Sequence, residues 1–142
     1  MRDDTDDSLA DKLRQKSRKL TNPRQAILKV LRKEGRPLAS REIHEALPGG
    51  ACNLATVYRS LHLLEGMGMV KRFDFGDGQI RFRLLEDGDS GHHHHLVCTR
   101  CRAVQEVEEC VIHELEKRVA QRSGFQRVTH RLEFFGLCPA CQ

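Results

Sequence analysis

Two cysteine pairs, Cys98/Cys101 and Cys138/Cys141, constrain this chain more than any other feature. Each is a Cys-x-x-Cys knuckle whose two thiolates reach a single ion, and two knuckles complete a closed tetrahedral zinc site. The 36 residues between the pairs exceed zinc-ribbon spacing. An ion held by all four sulfurs therefore clamps the end of the chain back onto the turn at 98–101. Four protein ligands leave no open coordination position, which makes the site structural rather than catalytic. Such sites contribute roughly 10 to 16 kcal/mol to folding. The competing reading of the pairs is a thiol redox switch. The segment Met1–Asp7 is polar and acidic without the apolar core of a secretory signal, and no apolar run approaches the roughly 20 residues that span a bilayer. A cytoplasmic chain is expected, where thiols stay reduced and serve as metal ligands. The remaining cysteines, Cys52 and Cys110, read as small buried hydrophobes.

The stretch Glu86-Asp87-Gly88-Asp89-Ser90-Gly91 is all turn and charge and divides the 142 residues. The expected organisation is a first domain at 1–85, a hinge at 86–91 and a second domain at 92–142. Each half is small for a self-sufficient apolar core, so each is expected to lean on metal or a second subunit. In the first half, Asn22 is placed to cap a helix with Pro23 at its first position. Ala26, Ile27, Val30 and Leu31 recur at helical spacing up to Gly35. Ser40 starts a second helix, stopped by Pro48-Gly49-Gly50. Asn53 caps a third, with Leu54, Val57, Leu61 and Leu64 as its inner stripe. Met69–Phe75 and Gln79–Leu85 alternate as strands around the turn Gly76-Asp77-Gly78. Three helices and a two-stranded wing make a winged helix-turn-helix. The second half reads as strands at His92–Cys98 and Ala103–Val107, a helix carrying Val111, Leu115, Val119 and Ala120 up to Gly124, and a strand at Phe125–Phe135. The fold class is α+β: an N-terminal winged helix-turn-helix and a small C-terminal α/β dimerisation domain whose apolar edges offer the contact surface.

Charge separates the halves too. The net charge is only +4, yet Lys12 to Arg41 carries eleven basic residues and one acid, while acids and histidines crowd the segment from Glu86 to Glu116. The first half is suited to phosphate. With the Leu/Val stripe inside, the third helix turns Ala55, Thr56, Tyr58 and Arg59 outward. An arginine there can make a bidentate contact with guanine, and a ring or methyl can pack on thymine. Lys19 lies on a basic arm that can reach phosphate or the minor groove. Charge and fold alone also fit a solvated basic face or a protein-binding winged helix.

Four consecutive histidines, His92 to His95, precede Leu96-Val97-Cys98. Side chains alternate along a strand, so His92 and His94 face one side and His93 and His95 the other. One strand thus feeds two sites, each beginning with two imidazoles, which suit zinc, copper, iron and nickel. Further donors are available at Glu106, His113, His130 and the hinge acids. His113-Glu114-Leu115-Glu116-Lys117 begins like the zinc-protease helix HExxH, but Lys117 stands in the second histidine place, so no enzyme is expected. A metal store or chaperone would not need the Leu54–Ser60 helix.

The sequence LTNPRQAIL, then LATVYRSL, GDGQIRFR, HHHHLVCTRC and GF…THRLEFFGLCPAC resembles the ferric uptake regulator family from about Lys19 to Cys141. The resemblance implies a homodimeric, metal-dependent repressor that binds a double-stranded DNA operator, with no membrane and no small-molecule substrate as partner. It implies base contacts from Tyr58 and Arg59, beside the outward-facing Thr56 of the same helix, and a minor-groove contact from Lys19. It implies structural zinc on Cys98, Cys101, Cys138 and Cys141, and a regulatory metal on His93, His95 and Glu106. A second regulatory site would use His92, His94, His113 and His130. Two departures stand out: Pro37 occupies the place of a regulatory histidine, and Arg83 that of a wing carboxylate. Glu86, Asp87, Asp89 or His44 are the candidates to fill that gap. These departures lean away from iron and peroxide sensors, and the all-imidazole second site favours zinc. The likeness is greatest to the zinc uptake regulator branch, with two to three zinc ions per subunit.

Overall fold

A computed structural model describes residues 21–86, 92–108 and 110–142; Lys19 and most of the expected hinge, Asp87 and Asp89 included, lie outside the described residues. The chain forms two compact units, Met1–Gly88 and Asp89–Gln142.

The first unit opens with helix α1, Asn22–Glu34. Its N-cap is Thr21, one residue before the expected Asn22, because the first intrahelical bond runs from Gln25 N–H to the Thr21 carbonyl at 3.0 Å. Gly35 ends it with φ 62°, a left-handed conformation that glycine adopts without strain. A two-residue strand that the sequence pattern did not reveal, β1 (Leu38–Ala39), precedes α2 (Ser40–Ala46). Ser40 is the first helical residue rather than the cap. The Ala39 N–H donates to the Glu42 carboxylate at 2.7 Å instead. Helix α3, Leu54–Gly66, is capped as expected: Asn53 Oδ1 accepts the Thr56 N–H at 2.8 Å.

Strands β2 (Val70–Asp74) and β3 (Ile80–Leu84) pair antiparallel, and β1 adds to β3, giving the order β1-β3-β2. At the wing tip, Asp74 and Asp77 side chains accept the Gly76 and Gln79 N–H groups. Arg81, 1% exposed, donates twice to the Asp77 carboxylate at 3.1 and 2.7 Å and lies over the Phe75 ring. That guanidinium holds the Asp77 carboxyl below its usual range. Behind the sheet, Ile27, Leu31, Leu38, Ile43, Val57, Leu61, Leu64, Val70, Phe82 and Leu84 fill one apolar core. This is the winged-helix arrangement.

The second unit is a three-stranded sheet of order β5-β4-β6: β4 (His94–Cys98), β5 (Val104–Val107) antiparallel to it, and β6 (Glu133–Gly136) parallel to it. Helix α4, His113–Ser123, joins β5 to β6 and ends at Gly124 with φ 73°. A strand from Phe125 was expected, yet only Glu133–Gly136 pairs. Arg127 has φ 56°, a backbone no strand accommodates. A short 3₁₀ turn, Pro139–Cys141, closes the chain. No described helix is long and apolar enough to cross a membrane.

Candidate functional site

Helix α3 buries Val57, Ser60, Leu61 and Leu64. The opposite face carries Ala55, Tyr58 (52% exposed) and Arg59, with Thr56 half-buried. Arg59 Nη2 donates to Thr56 Oγ1 at 3.2 Å. The guanidinium therefore lies along the first turn of the helix, the part of a helix-turn-helix that meets base edges.

In the second unit the Cys98–Cys101 turn follows β4, and the Cys138–Cys141 turn follows β6. Because β4 and β6 run parallel with Cys98 opposite Gly136, both knuckles emerge at the same end of the sheet. All four sulfurs lie within 4.8 Å of one another, and Cys101 Sγ is 3.7 Å from Cys138 Sγ. A tetrahedral ion with bonds of about 2.3 Å to sulfur has sulfur–sulfur edges of about 3.8 Å, so this donor set fits zinc. Cys98 Sγ accepts N–H groups from Cys138 at 3.4 Å and Cys101 at 3.5 Å. Led by the Cys138 N–H, these bonds lower its pKa to about 5. The neighbouring Cys138 thiol, with burial next, pushes Cys141 up to about 12. Sulfurs so close resist losing every proton until a cation neutralises them, which is the situation of a thiolate cluster built around a metal.

One face of β4 presents a second cluster. His92, His94, His130 and Cys110 have donor atoms within 4.8 Å of one another. His92 Nε2 is 3.3 Å from Cys110 Sγ, Cys110 Sγ is 3.6 Å from His130 Nε2, and His130 Nε2 is 3.2 Å from His94 Nε2. His94 Nδ1 faces the Leu132 carbonyl at 3.3 Å, and His130 Nδ1 faces Glu116 Oε1 at 2.5 Å. Desolvation and, after it, the neighbouring imidazoles lower the His92 pKa, while the His130 hydrogen bond lowers that of Glu116. His113 stays outside the donor group: it is mostly exposed, tilted against the His92 ring at 5.3 Å, and 3.4 Å from Glu116. Cys110, expected to be an inert buried residue, instead turns its sulfur to the imidazoles. Both it and Glu116 escaped the sequence reading. The available signal was spacing, since Cys110, His113 and Glu116 recur every three residues at the entry to α4.

On the other face, His95 stands opposite Glu106 in the β4–β5 ladder, and His93 Nδ1 meets Glu106 Oε1 at 2.5 Å. His95 is 2% exposed, and Glu133 of β6 is its partner on the parallel side. The donor atoms of His93, His95 and Glu106 do not close into a third tight group among the described residues. A second carboxylate, Glu133, stands beside His95 on the same face.

The model of the ferric uptake regulator family matches residues 15–135. The ferric uptake regulation protein of Bacillus subtilis (strain 168) is 37% identical over 140 residues, 95% of this chain and 93% of that protein. The peroxide-responsive repressor PerR of Staphylococcus aureus (strain USA300) is 31% identical over 132 residues, 92% of this chain and 86% of that protein. Among solved structures, the Vibrio cholerae ferric uptake regulator superposes with a TM-score of 0.77 at 34% identity, covering 92% of this chain and 99% of that one.

Proposed function

Because the chain belongs to the ferric uptake regulator family of metal-responsive DNA-binding transcription regulators, which are not enzymes, we propose that it is a homodimeric, zinc-responsive repressor. The single observation that carries zinc is the second cluster: the Nε2 atoms of His92, His94 and His130 converge with no carboxylate among the closest donors. Iron and manganese sites draw on carboxylates, whereas nitrogen and sulfur donors favour zinc.

In this reading Cys98, Cys101, Cys138 and Cys141 hold structural zinc. His93, His95 and Glu106 are the sensing ligands, completed from Glu86, Asp87, Asp89 or His44 across a hinge at 86–91. An ion bound there supplies ligation and no chemistry beyond it. Tyr58 and Arg59, with Thr56 and Lys19, read the operator. The exposed apolar residues Val111, Leu115, Val119, Phe134 and Phe135 supply the dimer surface. Within such a dimer without sensing metal, the DNA-reading heads are not held at one separation. Ligation restricts them to the spacing of successive major-groove faces. Moving that equilibrium from 1:99 to 99:1 takes about 5.5 kcal/mol of differential affinity.

The test is binding to a library of short duplexes while free zinc, ferrous iron or manganese is buffered at stepped levels. Zinc alone should switch on binding, at levels above those that fill the four-cysteine site. A requirement for iron or manganese would move the chain to another branch of the family. Equal binding by loaded and unloaded dimers would end the sensing reading.

A further inference from the structure

The cluster beside α4 contains a contact that two neutral imidazoles do not explain. A neutral imidazole carries one N–H. His94 uses Nδ1 toward the Leu132 carbonyl, and His130 uses Nδ1 toward the Glu116 carboxylate. Both acceptors fix the proton on Nδ1, which leaves a lone pair on each Nε2. Those two atoms face one another at 3.2 Å, so something positive belongs between them. The sulfur of Cys110 and Nε2 of His92 close the same space at 3.3 and 3.6 Å. A tetrahedral ion with bonds of about 2.0 to 2.1 Å to nitrogen and 2.3 Å to sulfur has nitrogen–nitrogen edges of about 3.3 Å and nitrogen–sulfur edges of about 3.6 Å. The His94–His130 separation of 3.2 Å and the Cys110–His130 separation of 3.6 Å lie close to those edges, and His92 to Cys110 at 3.3 Å is somewhat shorter.

We propose that Cys110 is a thiolate ligand which, with His92, His94 and His130, completes a tetrahedral site of three imidazoles and one sulfur for a borderline-soft divalent ion, zinc or cobalt, and that His113 is not a ligand. This deepens the zinc reading and rests on it. Glu116 is a positioning residue. Its carboxylate orients His130 from the far side of the ring and offsets the net positive charge that one thiolate leaves on a divalent ion. The site also explains what holds α4. No residue of that helix is buried. Among the described residues, its links toward the sheet include Glu116 to His130, His113 against the His92 ring and, just before its first turn, Cys110 to His92 and His130. An ion in this site fastens the start of the helix to β4 and to the segment leading into β6.

The experiment uses the full chain with zinc retained in the four-cysteine site and adds cobalt chloride. One equivalent per subunit, beyond any taken up by His93, His95 and Glu106, should bind with tetrahedral ligand-field bands and a thiolate-to-cobalt charge-transfer band. Cobalt-edge absorption fine structure on the unaltered protein should read a sulfur neighbour beside the nitrogens, a measurement that needs no variant to fold. Cys110→Ser should remove the charge-transfer band and weaken cobalt binding at least about tenfold, with structural zinc unchanged. Glu116→Gln should weaken it while keeping the band, and His113→Ala should leave both as they were. A nitrogen-only cobalt shell, a band that survives Cys110→Ser, or no further equivalent bound (a shared proton between His94 and His130) would each overturn the proposal. If cobalt binds through sulfur but no metal switches DNA binding, the site stands and the zinc-sensing reading falls.

Discussion

Residues 21–86 bury a continuous apolar cluster from Ile27 to Leu84, with the side chains of three helices and a sheet packed on one another. Between 92 and 142, burial among the described residues is confined to His94, His95, Val97, Cys98 and Val104. The large apolar side chains there point outward: Val111 is 85% exposed, Phe125 73% and Phe135 52%. The first unit has the makings of an ordinary small hydrophobic domain. The second has a sheet whose inner positions are two imidazoles, a thiol and two valines, and an apolar surface that is exposed. A single subunit of the second unit removes too little apolar area from water to offset the conformational entropy of ordering some fifty residues at about 1 to 2 kcal/mol each. In the proposed reading, metal at the cysteine knuckles and a second copy against α4 and β6 make up the difference.

The largest effect expected from this contrast is therefore the removal of one knuckle thiolate. Cys138→Ser should leave the second unit disordered, since a structural zinc worth roughly 10 to 16 kcal/mol matches or exceeds the whole stability of a typical domain, about 5 to 15 kcal/mol. Amide exchange should show β4, β5 and β6 unprotected while α1, α3 and the wing keep their protection. Retained protection in β4 to β6 would show that the sheet stands without the ion.

The same contrast governs what was legible beforehand. Where burial is apolar, periodicity exposes it: Leu54, Val57, Leu61 and Leu64 mark α3, and Asn53 marks its start. The short β1 escaped because two residues carry no period, and its pairing with β3 is decided by tertiary contact. In the second unit, the histidine alternation put His92 with His94 and His93 with His95, because a strand has only two faces. The partners on each face come from distant segments, and no local pattern announces them. Cys110 looked inert because its role depends on the chain bringing His130 to it from twenty residues away. The strand expected from Phe125 failed for a related reason. Phe125, Val128, Leu132 and Phe134 are spaced loosely among polar residues, but Arg127 turns the backbone into the left-handed region and delays pairing until Glu133.

A core substitution sharpens the comparison from the other side. Leu61 is fully buried in α3, and Leu61→Ala should cost about 2 to 5 kcal/mol through lost burial and the cavity left behind. The loss should fall on the first unit alone. Its thermal transition should move down, while zinc content and the exchange protection of β4 to β6 stay as in the parent. A parallel loss of zinc would show that the two units fold as one cooperative block, and that the contrast between them describes composition only.

The smallest effect is the most local. Asn53 Oδ1 satisfies the Thr56 N–H, one of the donors that the first turn of α3 cannot pair within the helix. Asn53→Ala should lower the stability of the first unit by about 1 kcal/mol, less than the core cavity and far less than loss of the knuckle. Its distinguishing mark is position. The same turn carries Thr56, whose hydroxyl accepts from Arg59, so fraying there should loosen the side chains proposed to read DNA while the core side of α3 stays packed. Exchange at Thr56 and Val57 should accelerate well ahead of Leu61 and Leu64. Affinity for the preferred duplex should fall more than affinity for unrelated DNA, because phosphate contacts made elsewhere on the unit persist. Equal losses for preferred and unrelated duplexes would mean that the first turn of α3 serves only to hold the helix, and that sequence is read from another part of the unit.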